Sequence, residues 1–354
     1  MISNLGTRAR SPKGLALIAL GLWSTQAILL STGLNKNEIS LILFPSFIFA
    51  AIFIVVFRIY HTQLKTFTAL KSNFPRKPIT LVIGSILMLA YHTLLFAGLK
   101  IGPEIETNLM NFLWPLLLII FSKRIFRDEK LFNWLRSKLG NGSFSDFADV
   151  QESKENNIFK IILALAGITL MITHGNRLDF IHWQGPLIGL SAAFCWALLS
   201  VLLRFQNTSN YISLFIVSTA LLSGIVWWIE GHPGLFNIKL LTISLFLGVG
   251  PFGIAMLCWE HAMKRGCASE IATLGFLAPF FSTVLLFVFR AESISRWSFI
   301  GFGLVILAII RIDAWLSIQR FLARHPQRIS NALYHIIDII KIPYTPLDPH
   351  HKTR

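Results

Sequence analysis

Three polar residues and a tryptophan stand where an apolar chain has least use for them. Glu106, Asn108, Asn111 and Trp114 fall in one otherwise apolar run, and Trp114 follows Asn111 by three positions. On a helix that spacing puts amide and indole on nearly the same face. Trp23 and Gln26 repeat the pairing in an earlier run, while Tyr91, His92 and Trp196 add further polar aromatic groups. Such groups stack and donate or accept hydrogen bonds; they do not break covalent bonds. Converging in an apolar cavity, they suit a small neutral or zwitterionic solute with an apolar side chain. Asn108 and Asn111 have a plainer role open to them, a hydrogen bond from helix to helix. No nucleophile, metal or phosphate motif clusters at one face, which argues against an enzyme. His92, His174 and His261 sit in separate segments without ligand spacing, so no metal and no cofactor are expected.

The elements that must hold these residues follow from composition. Of 354 residues 54% are hydrophobic and 14% charged, too few charges to coat a water-soluble globule. The lipid bilayer is therefore the expected solvent. A span needs about 20 apolar residues, and ten segments qualify, near 14–33, 39–59, 78–99, 104–122, 158–174, 185–204, 211–230, 239–262, 270–289 and 297–316. The first is too long for the apolar core of a cleaved signal and is read as a retained span. The net charge of +15 does not imply nucleic acid, because the charges lie between the apolar runs. With the N-terminus inside, all but six of the 32 Lys and Arg are cytoplasmic, the six being Lys36, Lys100, Arg177, Lys239, Arg290 and Arg296. That bias places both termini in the cytoplasm of a multi-pass inner-membrane protein. Cys195, Cys258 and Cys267 lie in or beside apolar runs and read as small apolar residues.

Two stretches stand outside this pattern. Residues 123–157 form a polar, mixed-charge segment, read as a mobile cytoplasmic linker. The tail 317–354 carries Ile329, Leu333, Ile336, Ile337 and Ile340 at helical spacing among Arg324, Arg328 and Lys341, which predicts a basic amphipathic helix on the inner leaflet. The chain thus divides into an N-terminus (1–13), four spans (14–122), the linker, a fifth span (158–174), five more spans (185–316) and the tail.

The chain also repeats itself. At a shift of 164 residues Lys100 falls on Lys264, Gly102 on Gly266, Glu106 on Glu270, Phe112 on Phe276, Leu113 on Leu277 and Pro115 on Pro279. Gly21-Leu22-Trp23-Ser24 similarly resembles Phe194-Cys195-Trp196-Ala197. Five spans per copy is an odd number, so the second copy crosses in the opposite sense, as in many secondary transporters. The repeated glycine, glutamate and proline block resembles the EamA repeat of the drug/metabolite transporter superfamily. Leu20 to Thr25, Met110 to Pro115, and Gly253 to Pro279 with Trp259 and Phe276 are similar to the YddG-type aromatic amino-acid exporters. The resemblance implies an all-α membrane protein of about ten transmembrane helices in two inverted five-helix repeats. It implies an exporter working by alternating access through a central cavity, with Trp259 and Phe276 joining the residues above.

Glu106 and Glu260 are candidates for coupling or gating, although an ordinary ion pair with Lys264 also accounts for Glu260. Pro115 and Pro279 are expected to bend their helices and free carbonyls toward the pathway. The linker, the tail, Glu260 and His261 depart from the family pattern. A drug or cation exporter, a nucleotide- or sugar-type carrier and a lipid-modifying membrane enzyme are the competing readings. The first should need a carboxylate at mid-span, where no Asp or Glu clearly lies. The topology has a direct check: a cysteine introduced at Asn141 should react with an impermeant thiol reagent only from the cytoplasmic side.

Overall fold

The computed structural model describes residues 11–31, 39–62, 78–139, 157–176, 178, 182–206, 211–231, 238–290 and 295–309. The tail after Ile309, residues 140–156 of the expected linker and the first ten residues lie outside them. Among the described residues every regular element is helical. In chain order they are α1 (Pro12–Ser31), α2 (Ile39–Thr62), α3 (Pro78–Ile101), α4 (Glu104–Asn111), α5 (Trp114–Arg127), α6 (Glu129–Leu139), α7 (Asn157–Thr173), α8 (Gln184–Arg204) and α9 (Tyr211–Ile229). They continue with α10 (Ile238–Val249), α11 (Ala255–Arg265), α12 (Ala268–Leu274), α13 (Ala278–Arg290) and α14 (Arg296–Ile309).

Seven continuous or near-continuous segments are long and apolar enough to cross a membrane: Leu41–Tyr60, Pro78–Ile101, Glu104–Ser122, Gln184–Arg204, Tyr211–Ile229, Ile238–Arg265 and Ala268–Phe289. The ten-span reading adds α1, α7 and α14, of which the last two are shorter apolar helices. The solvent preference is inverted relative to a soluble protein. Val56, Ile59, Ile86, Leu221, Phe246, Phe289 and Leu307 face outward, whereas Ser24, Thr80, Ser85, Thr107, Ser200, Thr219 and Ser244 are buried. Several buried or half-buried hydroxyls donate to the carbonyl one turn back, as Ser85 does to Leu81 (2.7 Å) and Thr169 to Leu165 (2.8 Å). In hydrocarbon such a bond satisfies the hydroxyl within its own helix.

The repeat seen in the sequence has a structural counterpart. α3 ends at Ile101 and α4 starts at Glu104; 164 positions on, α11 ends at Arg265 and α12 starts at Ala268. The residues that break the helices adopt the same extended backbone, φ −64°, ψ 129° at Pro103 and φ −66°, ψ 123° at Cys267. A second break follows in each copy, at Phe112–Leu113 and at Gly275–Leu277, before α5 and α13 resume. Pro115 and Pro279 each follow such a break, so that within the apolar segments Glu104–Ser122 and Ala268–Phe289 the ladder is interrupted in the turn before the proline, where its ring and missing N–H act. The Ala278 carbonyl beside Pro279 lies 3.3 Å from Ser24 Oγ of α1, whose hydroxyl also reaches the Leu20 carbonyl at 2.8 Å.

The helices pack across the two copies. α3 lies on α8 and, in the reciprocal position, α11 lies on α1. α4 and α5 pack on α8 as α12 and α13 pack on α1, while α9 meets α2 and α7 meets α14. Close approach depends on glycine at two seams. A Cβ on Gly102 would lie 2.5 Å from Gly185 Cα, and one on Gly167 would lie 2.5 Å from the Gly301 carbonyl oxygen. The expected linker is structured at its start: α6 is capped by Asp128, whose Oδ1 accepts from Leu131 N at 3.0 Å. Its Phe132 is buried against Phe205, and the Leu139 carbonyl accepts from Thr80 (2.6 Å) and Gln206 (3.1 Å). Apolar residues every three or four positions, Leu131, Phe132, Leu135 and Leu139, account for this helix.

Gly102→Val should force α3 from α8 and destabilise the protein by about 1–3 kcal/mol, the usual penalty of overpacking. Gly303→Ala, which meets nothing within 4 Å, should leave stability unchanged or slightly higher. Melting of both variants in detergent, followed by fluorescence-detected size exclusion, tests the pair.

Candidate functional site

Four tryptophans, carried by four helices of both copies, meet at the centre of the bundle. Trp23 on α1, Trp114 on α5, Trp196 on α8 and Trp259 on α11 have ring centroids 5.0 to 6.4 Å apart in the five pairs that touch. Most of these pairs meet edge to face or tilted, the arrangement ring quadrupoles favour. Tyr91 on α3 continues the cluster, its ring 5.0 Å from that of Trp196. Trp114, Trp196 and Trp259 are buried and Trp23 is half-buried.

Two of the four indole N–H groups are held by partners on other elements. Trp259 Nε1 donates to Ser200 Oγ on α8 at 3.1 Å. Trp23 Nε1 donates to the Pro251 carbonyl at 3.0 Å. That carbonyl belongs to a π-helical turn, Gly250–Ile254, inserted between α10 and α11. A proline in mid-helix interrupts the hydrogen-bond ladder, and here an indole from α1 meets the interrupted turn. Wide turns of this kind recur at functional sites.

The polar members sit at the edge of the aromatic cluster. Asn111, buried at the end of α4, is the side-chain hydrogen-bonding neighbour of the Tyr91 hydroxyl. Its Oδ1 is buried and has no hydrogen-bond partner. Such an atom is expensive to leave unmet, which makes it an acceptor ready for a donor. His92 Nδ1 lies 2.8 Å from the Met88 carbonyl. A carbonyl only accepts, so Nδ1 carries the proton and Nε2 of the neutral ring is the acceptor. The His92 ring is wedged between Phe47 and Phe252, at 5.2 and 4.5 Å, and those two stack on one another at 4.8 Å.

The remaining expected residues spread outward. Gln26 is half-buried on α1 and Asn108 half-buried on α4. Phe276 is buried in the 3-10 turn after α12, beside Gly275, which packs against Trp114. Glu106 is buried on α4, and its repeat counterpart Glu270 pairs with Lys13 of α1 at 2.8 Å. Glu260 pairs with Lys264 at 2.7 Å, away from the tryptophans. Ser200, Phe47, Phe252 and the Pro251 carbonyl were not anticipated. Ser200 carries no signal in an apolar run, but Gly250-Pro251-Phe252-Gly253 does mark a break. Among the described residues no three His, Cys, Asp or Glu side chains are placed to hold a metal.

Comparison with known proteins gives relatives among membrane transporters. Residues 183–312 match the EamA-like transporter family. The chain is 27% identical over 207 residues to the aromatic amino acid exporter YddG of Ancylobacter novellus, a match covering 57% of this chain and 64% of that protein, slightly under two thirds of its length. It is 22% identical over 255 residues to the protein of the same name in Salmonella typhimurium, covering 68% and 78%. An uncharacterized transporter of Bacillus subtilis, YvbV, is 24% identical over 250 residues, 69% of this chain and 74% of its own. A solved crystal structure superposes with a TM-score of 0.66 at 23% identity, over 88% of this chain and 98% of the other, so the fold is shared.

Ser200→Ala would strand the fully buried Trp259 N–H, with an expected loss of about 1–3 kcal/mol. In a Trp259→Phe background the same change should be nearly silent, because the donor is gone. Thermal melts of the two single variants and the double variant measure the difference.

Proposed function

We propose that the chain, which carries an EamA-like transporter domain of the drug/metabolite transporter superfamily, exports amino acids, aromatic ones first, across the inner membrane by alternating access. In this reading ten spans form two inverted five-helix repeats, both termini are cytoplasmic, and the cavity opens between the copies. The reciprocal packing of α3 on α8 and α11 on α1 supports the inverted repeat. The charge bias supports the orientation, and the relatives' function supports the solute class.

One observation carries the site: indoles from both copies share a single cluster, bordered by an amide oxygen that lacks a donor. When the copies rock apart, the contacts among Trp23, Trp114, Trp196 and Trp259 exchange for contacts with the solute's ring, at little change in apolar area. Tyr91 and Asn111 then meet its polar end, with the ammonium donating to Asn111 Oδ1. Gln26, His92, Asn108 and Phe276 complete the wall. No covalent step is required, and binding energy differs between solutes by what stacks and what pairs.

Purified protein in liposomes loaded with radiolabelled phenylalanine, tryptophan or threonine should release the aromatic pair faster than threonine and faster than empty liposomes. A pH gradient across the same liposomes separates proton-coupled from facilitated movement. Trp114→Ala and Asn111→Ala should each lower the rate about tenfold, equivalent to about 1.4 kcal/mol, in protein that still elutes as a folded species. Folded wild-type protein that releases none of the three sinks the amino-acid reading and returns the question to a broad metabolite screen.

A further inference from the structure

The same helices are held together by different forces at their two ends. At the end that the charge bias assigns to the outside, α2, α9 and α10 meet through Leu41, Ile42, Leu240, Ile243 and Leu247, with Trp227 against them. Phe44 stacks on Trp227 at 5.5 Å. This contact is apolar but for the Ser244 hydroxyl, 3.5 Å from the Ile42 carbonyl.

At the opposite end a carboxylate does the work. Glu260, near the end of α11, is fully buried. Its Oε1 accepts from Lys264 Nζ at 2.7 Å and from the Ile212 backbone N–H at 3.3 Å, in the first turn of α9. The negative group thus sits on the positive end of the α9 dipole. From α2, Arg58 donates through Nε to Ser213 Oγ at 2.9 Å, and its charge acts on Glu260. His261 is the remaining titratable neighbour. Glu260 Oε2 is buried without a hydrogen-bond partner, so the carboxylate is held by charge as much as by hydrogen bonds. Glu260 therefore ties α11 to the first turn of α9, and Arg58 ties α2 to the same turn through Ser213.

The duplication does not account for this. In the 164-residue register Glu260 falls on Phe96, which is buried near the other end of α3. An inverted repeat places equivalent positions at opposite faces. One position carries an apolar residue and the other a charge network.

We propose that Glu260 is the latch of the cytoplasmic end, a positioning residue that never touches the solute. The proposal rests on the alternating-access reading above. Opening that end must pull Arg58 and the start of α9 away from a carboxylate already out of water, and a buried charge deprived of partners is costly. Opening the outer end separates mainly apolar side chains, and none of the described groups in that contact is charged. The two gates therefore respond to different changes, and removal of the charge biases the chain toward the inward-open form.

Hydrogen exchange of the protein in lipid nanodiscs, followed by mass spectrometry, reads both ends at once. Glu260→Gln keeps the shape and removes the charge. It should speed exchange in residues 211–216 and 257–265 at least fivefold and slow it in 238–247, because alternating gates move reciprocally. Arg58→Gln keeps the Glu260–Lys264 pair intact and should shift both ends in the same directions. A local structural pair within α11 would not respond to the Arg58 change. Faster exchange at both ends in Glu260→Gln, or at the inner end alone, overturns the latch. If amino-acid efflux persists in that case, the transport reading stands without it. If efflux is absent as well, alternating access falls with it.

Discussion

Inside hydrocarbon no water is available to an unpaired backbone group, and every other feature of this chain is arranged around that constraint. Continuous helices meet it by themselves. The chain nonetheless breaks its helices at Gly102–Pro103, Phe112–Leu113, Gly250–Ile254, Gly266–Cys267 and Gly275–Leu277. Side chains meet carbonyls at two of these breaks: the Pro251 carbonyl in the π turn takes the Trp23 indole at 3.0 Å, and the Gly266 carbonyl takes Arg204 Nη1 at 3.1 Å. Trp23 is also a member of the aromatic cluster, so one donor serves both a helix break and the proposed site.

Reciprocal packing explains why the site belongs to neither copy alone. α8, the first helix of the second copy, rests on α3, α4 and α5 of the first, and α1 rests on α11, α12 and α13 of the second. Each tryptophan therefore faces partners from the other copy. Where the backbones must come closest, at Gly102 against Gly185 and Gly167 against Gly301, no Cβ fits. Tight seams with small residues are rigid. A cluster of rings held by edge-to-face contacts, none covalently tied, is the softer part of the bundle, which suits a place where a solute must enter and leave.

The sequence made some of this legible and hid the rest for physical reasons. The 164-residue register could be read because Gly, Pro and Glu are rare enough in apolar runs for their coincidence to count. The breaks fall in that same register, Ile101 to Glu104 against Arg265 to Ala268, but hydropathy alone ends the spans at 99 and 262 and gives no sign of the second break in either segment. The two prolines announce an interruption in the turn before them, but an apolar run does not say whether that interruption is a slight bend or a full break; the backbone at Phe112–Leu113 and Gly275–Leu277 does. Helix α6 reads as linker because charges dominate its composition, although Leu131, Phe132, Leu135 and Leu139 recur at helical spacing and Phe132, Leu135 and Leu139 pack on the core. The tryptophans were singled out one at a time from spacing and resemblance. Their meeting was not readable, since contacts between α1 and α11, more than two hundred residues apart, leave no mark on local pattern. Ser200 and Arg58 were missed for the same reason: their partners lie on other helices.

Solute choice in such a site follows from what four indoles can and cannot offer. They present large polarisable faces and N–H donors, of which those of Trp23 and Trp259 are already engaged by Pro251 and Ser200. An incoming polar group can therefore bond only to what remains, and the described geometry leaves Asn111 Oδ1 as a buried acceptor. One acceptor beside a broad aromatic surface distinguishes solutes mainly by their apolar part. A ring recovers the stacking given up when the indoles part, and a short polar side chain does not. Within the proposed transport cycle the tryptophan cluster is then more than a binding wall. It is the reference state against which every solute competes, so that affinity is set by how well the solute replaces the indoles for one another.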